Sequence, residues 1–317
     1  MSWPFARAVV TGGAGFLGAH LCEHLLARGT AVVCVDDLST GRASAVDRLR
    51  ENPAFSFVRQ DVSTAAVSGE VDLVLHLASP AAPSYYLRHP VATLRTGAEG
   101  TRAALALAQS RAARFVLAST SEVYGDPQQH PQPEHYRGNV DPVGPRSVYD
   151  EAKRYAEALT AAHQRHHGVN TAIARLFNTY GPGMPADDGR MVPTFARQAL
   201  DGVPLTVEGH GHNTRSLCYV DDVVDGLLAL AASEMAGPVN LGNPEERQVR
   251  EIAETVLRVA GSDSPIQHVE AAADDPRRRC PDISLAEREL GWRPRVGLLD
   301  GLQRTIAWYR QQRLPTG

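Results

Sequence analysis

The sequence predicts an α/β protein in which helices cover both faces of a doubly wound parallel sheet. Two observations support this fold class. In the first half of the chain, short apolar runs rich in β-branched residues alternate with longer segments of helical periodicity, the pattern of repeated β-α-β units. A glycine-rich turn also follows the first apolar run, where a helix would begin. Parallel sheets of this kind are buried on both faces, and their crossovers are right-handed.

The first half divides into six predicted strands and three main helices. The strands are expected at Ala8–Thr11, Ala31–Asp36, Phe55–Val58, Leu73–Leu77, Phe115–Ser119 and Thr171–Leu176, and the helices at Gly15–Arg28, Val91–Ala112 and Val148–His167. Because ligands of open α/β sheets bind at the carboxyl ends of the strands, we expect functional residues where these strands end.

A second, smaller domain is predicted in the C-terminal half. Glycine and proline become frequent after about Asn178, and helices separate short irregular segments. We expect a Rossmann-type domain over residues 1–178, rejoined by about residues 213–243, and a substrate domain over the rest of 179–317. The loop Asp126–Arg146 is unusually long for a compact domain and ends just before Tyr149, which favours a functional or mobile role.

The composition is that of an ordinary globular protein, with 43% hydrophobic and 21% charged residues. A formal net charge of −4 argues against nucleic acid as the main partner. The four cysteines (Cys22, Cys34, Cys218, Cys280) have no disulfide-like or C-x-x-C spacing. They fit a reduced cytoplasmic setting, and we expect neither a signal peptide nor a membrane span.

A dinucleotide site is predicted at the segment TGGAGFLG, Thr11–Gly18. Its glycines allow a tight turn and close approach to a pyrophosphate, and the helix that follows supplies partial positive charge. Asp36 ends the second strand at about the expected distance of ~20 residues, where a carboxylate accepts hydrogen bonds from ribose hydroxyls. Since it would repel a 2′-phosphate, NAD is favoured over NADP. Arg42 is the counter-argument, because an arginine there could hold a phosphate.

Tyr149 and Lys153 form a Y-x-x-x-K pair on one face of a predicted helix. A phenol is a poor base at neutral pH, but a nearby ammonium and a positively charged nicotinamide both favour the phenolate. The lysine can also hold the nicotinamide ribose. The spacing alone is common in helices, and it gains weight here from the dinucleotide motif upstream.

Polar residues follow the fifth strand, at Thr120, Ser121 and Glu122. The Thr120 hydroxyl can donate to a forming carbonyl oxygen, and Glu122 can act as an acid or base. Simple turn chemistry is the alternative, because serine and threonine are favoured at strand ends in any protein.

Nine longer segments carry a family resemblance. They are TGGAGFLG, HLASPAAP (His76–Pro83), STSEVYGDP (Ser119–Pro127), GPRSVYDEAKR (Gly144–Arg154), RLFNTYGP (Arg175–Pro182), DDGRMVPTF (Asp187–Phe195), PLTVEGHGHNTRS (Pro204–Ser216), PVNLGNPEE (Pro238–Glu246) and DDPRRRCPDI (Asp274–Ile283). Nearly end to end, the chain resembles the extended short-chain dehydrogenase/reductases that act on nucleotide sugars, and most closely the UDP-glucuronate decarboxylases among them.

The resemblance implies a redox-neutral reaction on UDP-glucuronate. Tyr149 would take the C4 hydroxyl proton while C4 passes hydride to NAD, and the resulting β-keto acid would lose carbon dioxide as an enolate. Thr120 and Tyr149 would hold O4. Glu122 and Arg279 match positions associated with decarboxylation and C5 protonation. Return of the hydride gives UDP-xylose, although release of some 4-keto pentose stays open.

The resemblance also implies a full set of site residues. The expected catalytic residues are Tyr149, Lys153, Thr120, Ser121, Glu122 and Arg279. The expected cofactor contacts are Gly12, Gly15, Phe16, Leu17, Gly18, Asp36, Asp37, Ser39, Thr40, Gly41, Asp61, Val62, Leu77, Ala78, Ser79, Thr96, Ser119, Tyr149, Lys153 and Arg190. The expected substrate contacts are Pro80, Arg95, Thr120, Glu122, Tyr149, Asn178, Thr206, Arg215 and Arg279, and no metal site is expected.

Ser121 separates a decarboxylase from related 4,6-dehydratases, which resemble this chain but have an Asp-Glu pair at Ser121-Glu122. An ionised aspartate would face the substrate carboxylate, an unfavourable contact of like charges.

Four residues depart from the family pattern, and we expect them to affect the reaction rate more than the class of reaction. Arg95 replaces a lysine, Gly97 an asparagine, and Gly183 and Cys280 common basic residues.

Three interpretations compete with the decarboxylase. Two are enzymes of the same family, a UDP-sugar 4-epimerase and a 4,6-dehydratase, and the third is a cofactor-sensing binding protein. The last is disfavoured because Tyr149 and Lys153 are both present.

His163 and His167 have metal-like spacing but no third ligand nearby, and Arg277 with Arg278 is interpreted as a solvated basic run. The resemblance also implies a homodimer built on the helices Val91–Ala112 and Val148–His167.

Overall fold

A parallel sheet of seven strands forms the centre of the protein. The structure is a computed structural model that describes residues 3–144, 147–270 and 278–313. The strands are β1 (Arg7–Thr11), β2 (Ala31–Val35), β3 (Phe55–Val58), β4 (Leu73–His76), β5 (Arg114–Thr120), β6 (Thr171–Leu176), β7 (Thr179–Tyr180), β8 (Leu205–Glu208), β9 (Thr214–Ser216), β10 (Cys218–Tyr219), β11 (Val239–Leu241), β12 (Glu246–Gln248) and β13 (Ile266–Val269). The predictions about Arg277, and about residues 145–146 and 274–276 of the family segments, lie outside the described residues.

The order of strands in the central sheet is β11-β6-β5-β4-β1-β2-β3, with every pair parallel. The chain reverses its direction of travel across the sheet between β1 and β4, and this switch point opens a crevice at the carboxyl ends of the strands. The predicted doubly wound parallel sheet is therefore confirmed.

Ten α-helices surround the strands in the described part of the chain. They are α1 (Phe16–Ala27), α2 (Pro83–Tyr86), α3 (Pro90–Arg95), α4 (Thr101–Ser110), α5 (Ser147–His167), α6 (Met191–Asp201), α7 (Val220–Ala231), α8 (Val249–Ala260), α9 (Ser284–Leu290) and α10 (Leu298–Gln311). Helices α1 and α7 pack together on one face of the central sheet, and α4 and α5 pack on the other. Each face buries an apolar cluster, and the central strands are almost wholly inaccessible to solvent.

The predicted helix Val91–Ala112 is interrupted. A π-helical turn over Thr96–Gly100 separates α3 from α4. Gly97 lies in this turn against α5, so close that a Cβ added to it would lie 2.7 Å from the Cβ of Ala152. Hydrophobic periodicity predicted one continuous helix here and did not indicate the π-helical turn.

Strand β5 is longer than predicted because it begins at Arg114, a charged residue that periodicity excludes from a buried strand. The guanidinium is buried and donates to the carbonyl oxygens of Thr171, Leu230 and Met235, at 3.1 Å for the first and 3.2 Å for the second. Hydrogen bonds offset part of the cost of burying a charge, and these bonds tie β5 to the end of α7.

The C-terminal part contributes three two-stranded sheets, β10-β7, β12-β9 and β13-β8. Helices α6, α8 and α10 pack beside them, and Val239–Leu241 returns as an edge strand of the central sheet.

The division of the chain into a cofactor domain and a substrate domain stays a prediction. In the described residues, none of the helices combines the length and the apolar character that a membrane span requires.

Candidate active site

A cleft of about 780 Å³ opens at the carboxyl ends of the central strands and is walled on its far side by C-terminal segments. Most predicted site residues line it: Gly12, Gly15, Phe16, Leu17, Gly18, Asp36, Asp37, Ser39, Thr40, Asp61, Val62, Leu77, Ala78, Ser79, Pro80, Thr96, Ser119, Thr120, Ser121, Glu122, Tyr149, Lys153, Asn178, Arg190, Thr206, Arg215 and Arg279. Residues as distant in sequence as Gly12 and Arg279 thus meet in one cavity.

The glycine-rich turn forms the floor of the cleft. Gly12 has a φ of +69°, a conformation that side chains rarely adopt, and a Cβ there would lie 2.8 Å from the backbone nitrogen of Ala78. A Cβ on Gly18 would lie 2.1 Å from the carbonyl oxygen of Gly12. The turn therefore needs glycine at both positions, and it presents the start of α1 to the cleft, where a pyrophosphate is stabilised.

Asp36 lies at the end of β2 and is buried. Its carboxylate accepts hydrogen bonds from the backbone N–H of Ala14 at 3.0 Å and of Leu38 at 2.8 Å. Burial raises the pKa of this carboxyl group, and the two backbone donors oppose the rise. Arg42, the residue that argued for NADP, forms an ion pair with Asp187 at 2.6 Å instead.

These features fit NAD. The glycine turn leaves room for a dinucleotide, and Asp36 offers carboxylate oxygens where ribose hydroxyls would lie. The Ser79 Oγ, on the same wall, is buried without a hydrogen-bond partner among the described residues. A buried polar atom in a cavity is expected to have a partner, and a bound ligand can supply it.

Tyr149 and Lys153 lie on the first turns of α5 with both side chains buried. The Lys153 Nζ donates to the carbonyl oxygen of Ala118 at 2.7 Å and lies 5.9 Å from the centre of the Tyr149 ring. The Thr120 side chain hydrogen-bonds Tyr149. A substrate hydroxyl between Thr120 and Tyr149 would thus have a partner for both its proton and its oxygen.

Burial within the protein favours the protonated form of Tyr149, and the positive charge of a bound NAD nicotinamide, which the sequence expectation also invoked, would favour the phenolate. Burial raises the pKa of Tyr149 far above its usual value, and the charge of Glu122 raises it further. Arg190 and the hydrogen bond from Thr120 oppose this rise. Burial also lowers the pKa of Lys153 to about 8. The sequence expectation named the lysine and the nicotinamide as the charges that favour the phenolate, and it did not include the desolvation of the phenol.

Glu122 and Arg279 form an ion pair in the cleft wall. The guanidinium donates to the two carboxylate oxygens at 2.6 and 2.9 Å, and its Nη1 also lies 3.4 Å from the Asn178 Oδ1. Arg279 is only 7% exposed. A buried bidentate pair of this kind is a strong, oriented interaction, and the same guanidinium geometry suits a substrate carboxylate or phosphate.

Ser119 has a different partner from the one predicted. Although it lines the cleft, its hydroxyl donates to the Glu157 Oε1 at 2.6 Å. Arg175 donates to both oxygens of Glu157 at 2.9 and 2.8 Å. Ser119 therefore joins β5 to α5, one turn after Lys153, and its predicted contact with the cofactor stays a prediction.

Two predicted contacts lie outside the cleft lining, and Tyr86 is one of the lining residues that were not predicted. Gly41 packs against the Asp36 carboxylate, and Arg95 lies on the surface, 4.0 Å from both Asp61 and Glu99. Tyr86 was not predicted, yet its ring stacks on Tyr149 with centroids 5.3 Å apart. Tyr86 lies three residues beyond the family segment His76–Pro83, and no motif in the sequence marked it.

A dinucleotide cleft with a buried Tyr–Lys pair defines an NAD-dependent enzyme that moves a proton and a hydride. The chain belongs to the NAD dependent epimerase/dehydratase family, whose model matches residues 8–242. It is 48% identical over 306 residues, 96% of its length and 70% of the relative's, to UDP-glucuronic acid decarboxylase 1 of Arabidopsis thaliana.

Solved structures of the family share the fold. A dTDP-glucose 4,6-dehydratase from Streptomyces venezuelae, with NAD bound, matches with a TM-score of 0.89 and 30% identity, over 97% of this chain and 98% of that one. A UDP-glucuronic acid 4-epimerase from Bacillus cereus, in complex with NAD and a fluorinated UDP-glucuronic acid, matches with a TM-score of 0.87 and 26% identity, over 96% and 99%. The cofactor of this chain is NAD.

Proposed function

We propose that this chain is a UDP-glucuronate decarboxylase that converts UDP-glucuronate to UDP-xylose with NAD as a cofactor. The observation that carries the proposal is the pairing of two features in one cleft. A hydroxyl pair, Thr120 and Tyr149, lies beside a buried Arg279 that is oriented by Glu122. The first suits oxidation at a sugar hydroxyl, and the second suits a carboxylate on the same sugar.

The reaction begins at the C4 hydroxyl. NAD, which the glycine turn and Asp36 would hold, would supply the reversible hydride chemistry at C4. Tyr149 takes the proton from O4, with Thr120 as its hydrogen-bond partner and Lys153 as the cation on the same helix face. The product of this step is a 4-keto acid, in which the carboxylate at C6 is β to the new carbonyl.

Decarboxylation then breaks the C5–C6 bond. The electron pair moves into an enolate at C4–O4, where Thr120 and Tyr149 stabilise the oxygen by hydrogen bonding. Carbon dioxide leaves, and C5 takes a proton from a water molecule, which we assign to a position beside the Glu122–Arg279 pair. Arg279 binds the carboxylate before the step. When the 4-keto pentose is reduced again, Tyr149 returns its proton to O4.

Ser121 favours decarboxylation over dehydration. Its side chain is buried and lines the cleft next to Glu122. Related 4,6-dehydratases resemble this chain but have an aspartate at this position, and an ionised aspartate would repel a uronate carboxylate in this buried wall. A neutral hydroxyl avoids that repulsion.

The test is incubation of the purified protein with UDP-glucuronate labelled with ¹³C at C6, with and without added NADH. We expect the label in carbon dioxide and UDP-xylose without label. The incubation without NADH measures any 4-keto pentose that the enzyme releases. A product of unchanged mass and altered C4 configuration would identify an epimerase, as in the Bacillus cereus relative. The Tyr149→Phe variant is the control and should lose at least ~100-fold in rate.

We also propose that the protein is a homodimer. Val91 and Leu94 on α3 and Tyr155 on α5 are exposed apolar side chains on adjacent helices, with Val91 77% exposed. Contiguous apolar patches commonly mark association surfaces. Light scattering should give twice the mass of the chain, and Val91→Lys with Leu94→Lys should give the monomer. A wild-type monomer at working concentration would refute this proposal.

We further propose that the protein acts in the cytoplasm. All four cysteines are free and buried, as expected where thiols stay reduced. Fractionation of cells that express the chain would test the location, and recovery outside the cytoplasmic fraction would contradict it.

A further inference from the structure

We propose that His130, Glu246 and Cys280 form a binding site for a divalent transition-metal ion, with Zn²⁺ as the expected occupant. The three residues lie outside the cleft lining, and the proposed reaction uses none of them. They come from the loop before α5, from strand β12 and from the segment that follows Arg279. The sequence separates them widely, so spacing rules had no means of detecting the group.

The geometry of the three side chains suits one ion. The ligand atoms, an imidazole nitrogen, a carboxylate oxygen and the Cys280 Sγ, all lie within 4.8 Å of one another. The His130 Nε2 is 3.1 Å from the Glu246 Oε2. Ligands of a tetrahedral zinc, bound at about 2.0–2.3 Å, lie about 3.5 Å apart. Small side-chain movements therefore suffice to place an ion between them.

The ligand types select the metal. Thiolate, imidazole and carboxylate are the three zinc ligands that proteins use, whereas Ca²⁺ and Mg²⁺ prefer oxygen alone. The carbonyl oxygen of Pro244, 3.4 Å from the Cys280 Sγ, or a water can complete the coordination.

Neighbouring groups already hold two of the ligands. The Thr214 hydroxyl donates to the Glu246 Oε1, which leaves Oε2 directed to His130. Gln132 fixes the backbone of Cys280 from both sides, since its N–H donates to the Cys280 carbonyl at 2.9 Å and its Oε1 accepts from the Cys280 N–H at 2.9 Å. Outer partners of this kind orient ligands and raise metal affinity.

Binding must displace a proton. Burial raises the pKa of the Cys280 thiol, and the charges of Glu246 and Asp282 raise it further, while the nearby Ser216 hydroxyl opposes the rise. The ion replaces the thiol proton, and the His130 Nε2 binds it as the unprotonated nitrogen of a neutral imidazole.

The position of the site suggests its consequence. Cys280 directly follows Arg279, and Glu246 pairs in register with Ser216, next to Arg215. A bound ion would tie together the segments that carry two cleft arginines. This consequence rests on the proposed function, but the binding itself does not.

The test is a titration of the chelator-treated full chain with CoCl₂, read by absorption. We expect one Co²⁺ per chain, with a near-ultraviolet thiolate-to-cobalt charge-transfer band that competing ZnCl₂ removes. Cys280→Ser should abolish the band and weaken binding by more than about tenfold. His130→Ala, a change at a partly exposed position, should weaken binding in the same way if Cys280→Ser fails to fold.

His210→Ala is the matched control, because it removes a histidine that is not among the three proposed ligands. The His210 ring lies 6.2 Å from the rings of His212 and His268, in a separate group of histidines. It should leave the cobalt spectrum unchanged. The proposal is wrong if wild-type protein shows no thiolate band, or if the band survives Cys280→Ser. Because the readout is spectroscopic, failure of the decarboxylase assay would not affect it.

Discussion

The rings of Tyr86 and Tyr149 stack with centroids 5.3 Å apart and planes within 6° of parallel. Tyr86 ends the short helix α2, and Tyr149 lies in the first turn of α5, so the contact joins two elements 63 residues apart in sequence. Both side chains are buried. The stack fixes the plane of the proposed proton-transferring phenol and closes that side of the cleft to water.

Replacing Tyr86 by leucine should lower kcat more than it changes KM. An aromatic pair contributes about 0.5–1.5 kcal/mol beyond area burial, so we expect a fall of about threefold to tenfold. Tyr86→Phe keeps the ring and is the matched control, with near wild-type kcat. Steady-state kinetics on UDP-glucuronate would check this, and equal losses in both variants would show that the hydroxyl, not the stack, matters.

Replacing Arg279 by lysine should greatly reduce release of carbon dioxide. The charge is kept, but the paired hydrogen bonds to Glu122 cannot both form, and a hydrogen bond to a charged group is worth about 1.5–3 kcal/mol. We therefore expect a loss of about 10- to 100-fold in kcat/KM. Arg278→Lys is the matched control, because Arg278 is exposed. Equal activity of the two variants would remove Arg279 from the mechanism.

Activity should fall on the alkaline side as Lys153 loses its proton. Burial lowers the pKa of Lys153 to about 8, and the charge of Glu157 opposes this. The ammonium is therefore present below about pH 8 and is lost as the pH rises through that value. Glu157→Gln removes the opposing charge, so the alkaline limb of the kcat profile should move to lower pH.

Ser119→Ala is the control for this shift, because it removes a hydrogen bond to Glu157 without changing its charge. Its alkaline limb should stay closer to that of the wild type. A pH profile that is the same in Glu157→Gln and wild type would contradict the assignment of the alkaline limb to Lys153.

The stability of the packing between the π-turn and α5 depends on Gly97. A Cβ there would lie 2.7 Å from the Ala152 Cβ, so Gly97→Ala should destabilise the protein by about 1–3 kcal/mol. Ala152→Gly in the same chain opens the space and should restore part of this loss. Chemical denaturation of the two single variants and the double variant would measure the coupling. Strictly additive free energies of unfolding would show that the two positions do not compete for space.

The sequence contained enough to predict the central sheet and most of the cleft. Alternation of apolar strands with helical periodicity is a local property, and the glycine turn and the Tyr–Lys spacing each lie within a few residues. The family resemblance extended this to residues as distant as Arg279. It also led to Arg95, which the structure places on the surface, 4.0 Å from Asp61.

The sequence by itself determined which functional residues lie at the end of each strand. These are a glycine turn after β1, Asp36 after β2, Thr120 at the end of β5 and a Tyr–Lys pair on the next long helix. These depend on short-range pattern and on where strands end. Only the tertiary structure decided that Tyr86 stacks on Tyr149, that burial and Glu122 raise the pKa of the phenol, and that His130, Glu246 and Cys280 meet. Desolvation and contact across distant segments are properties of packing, and no local pattern records them.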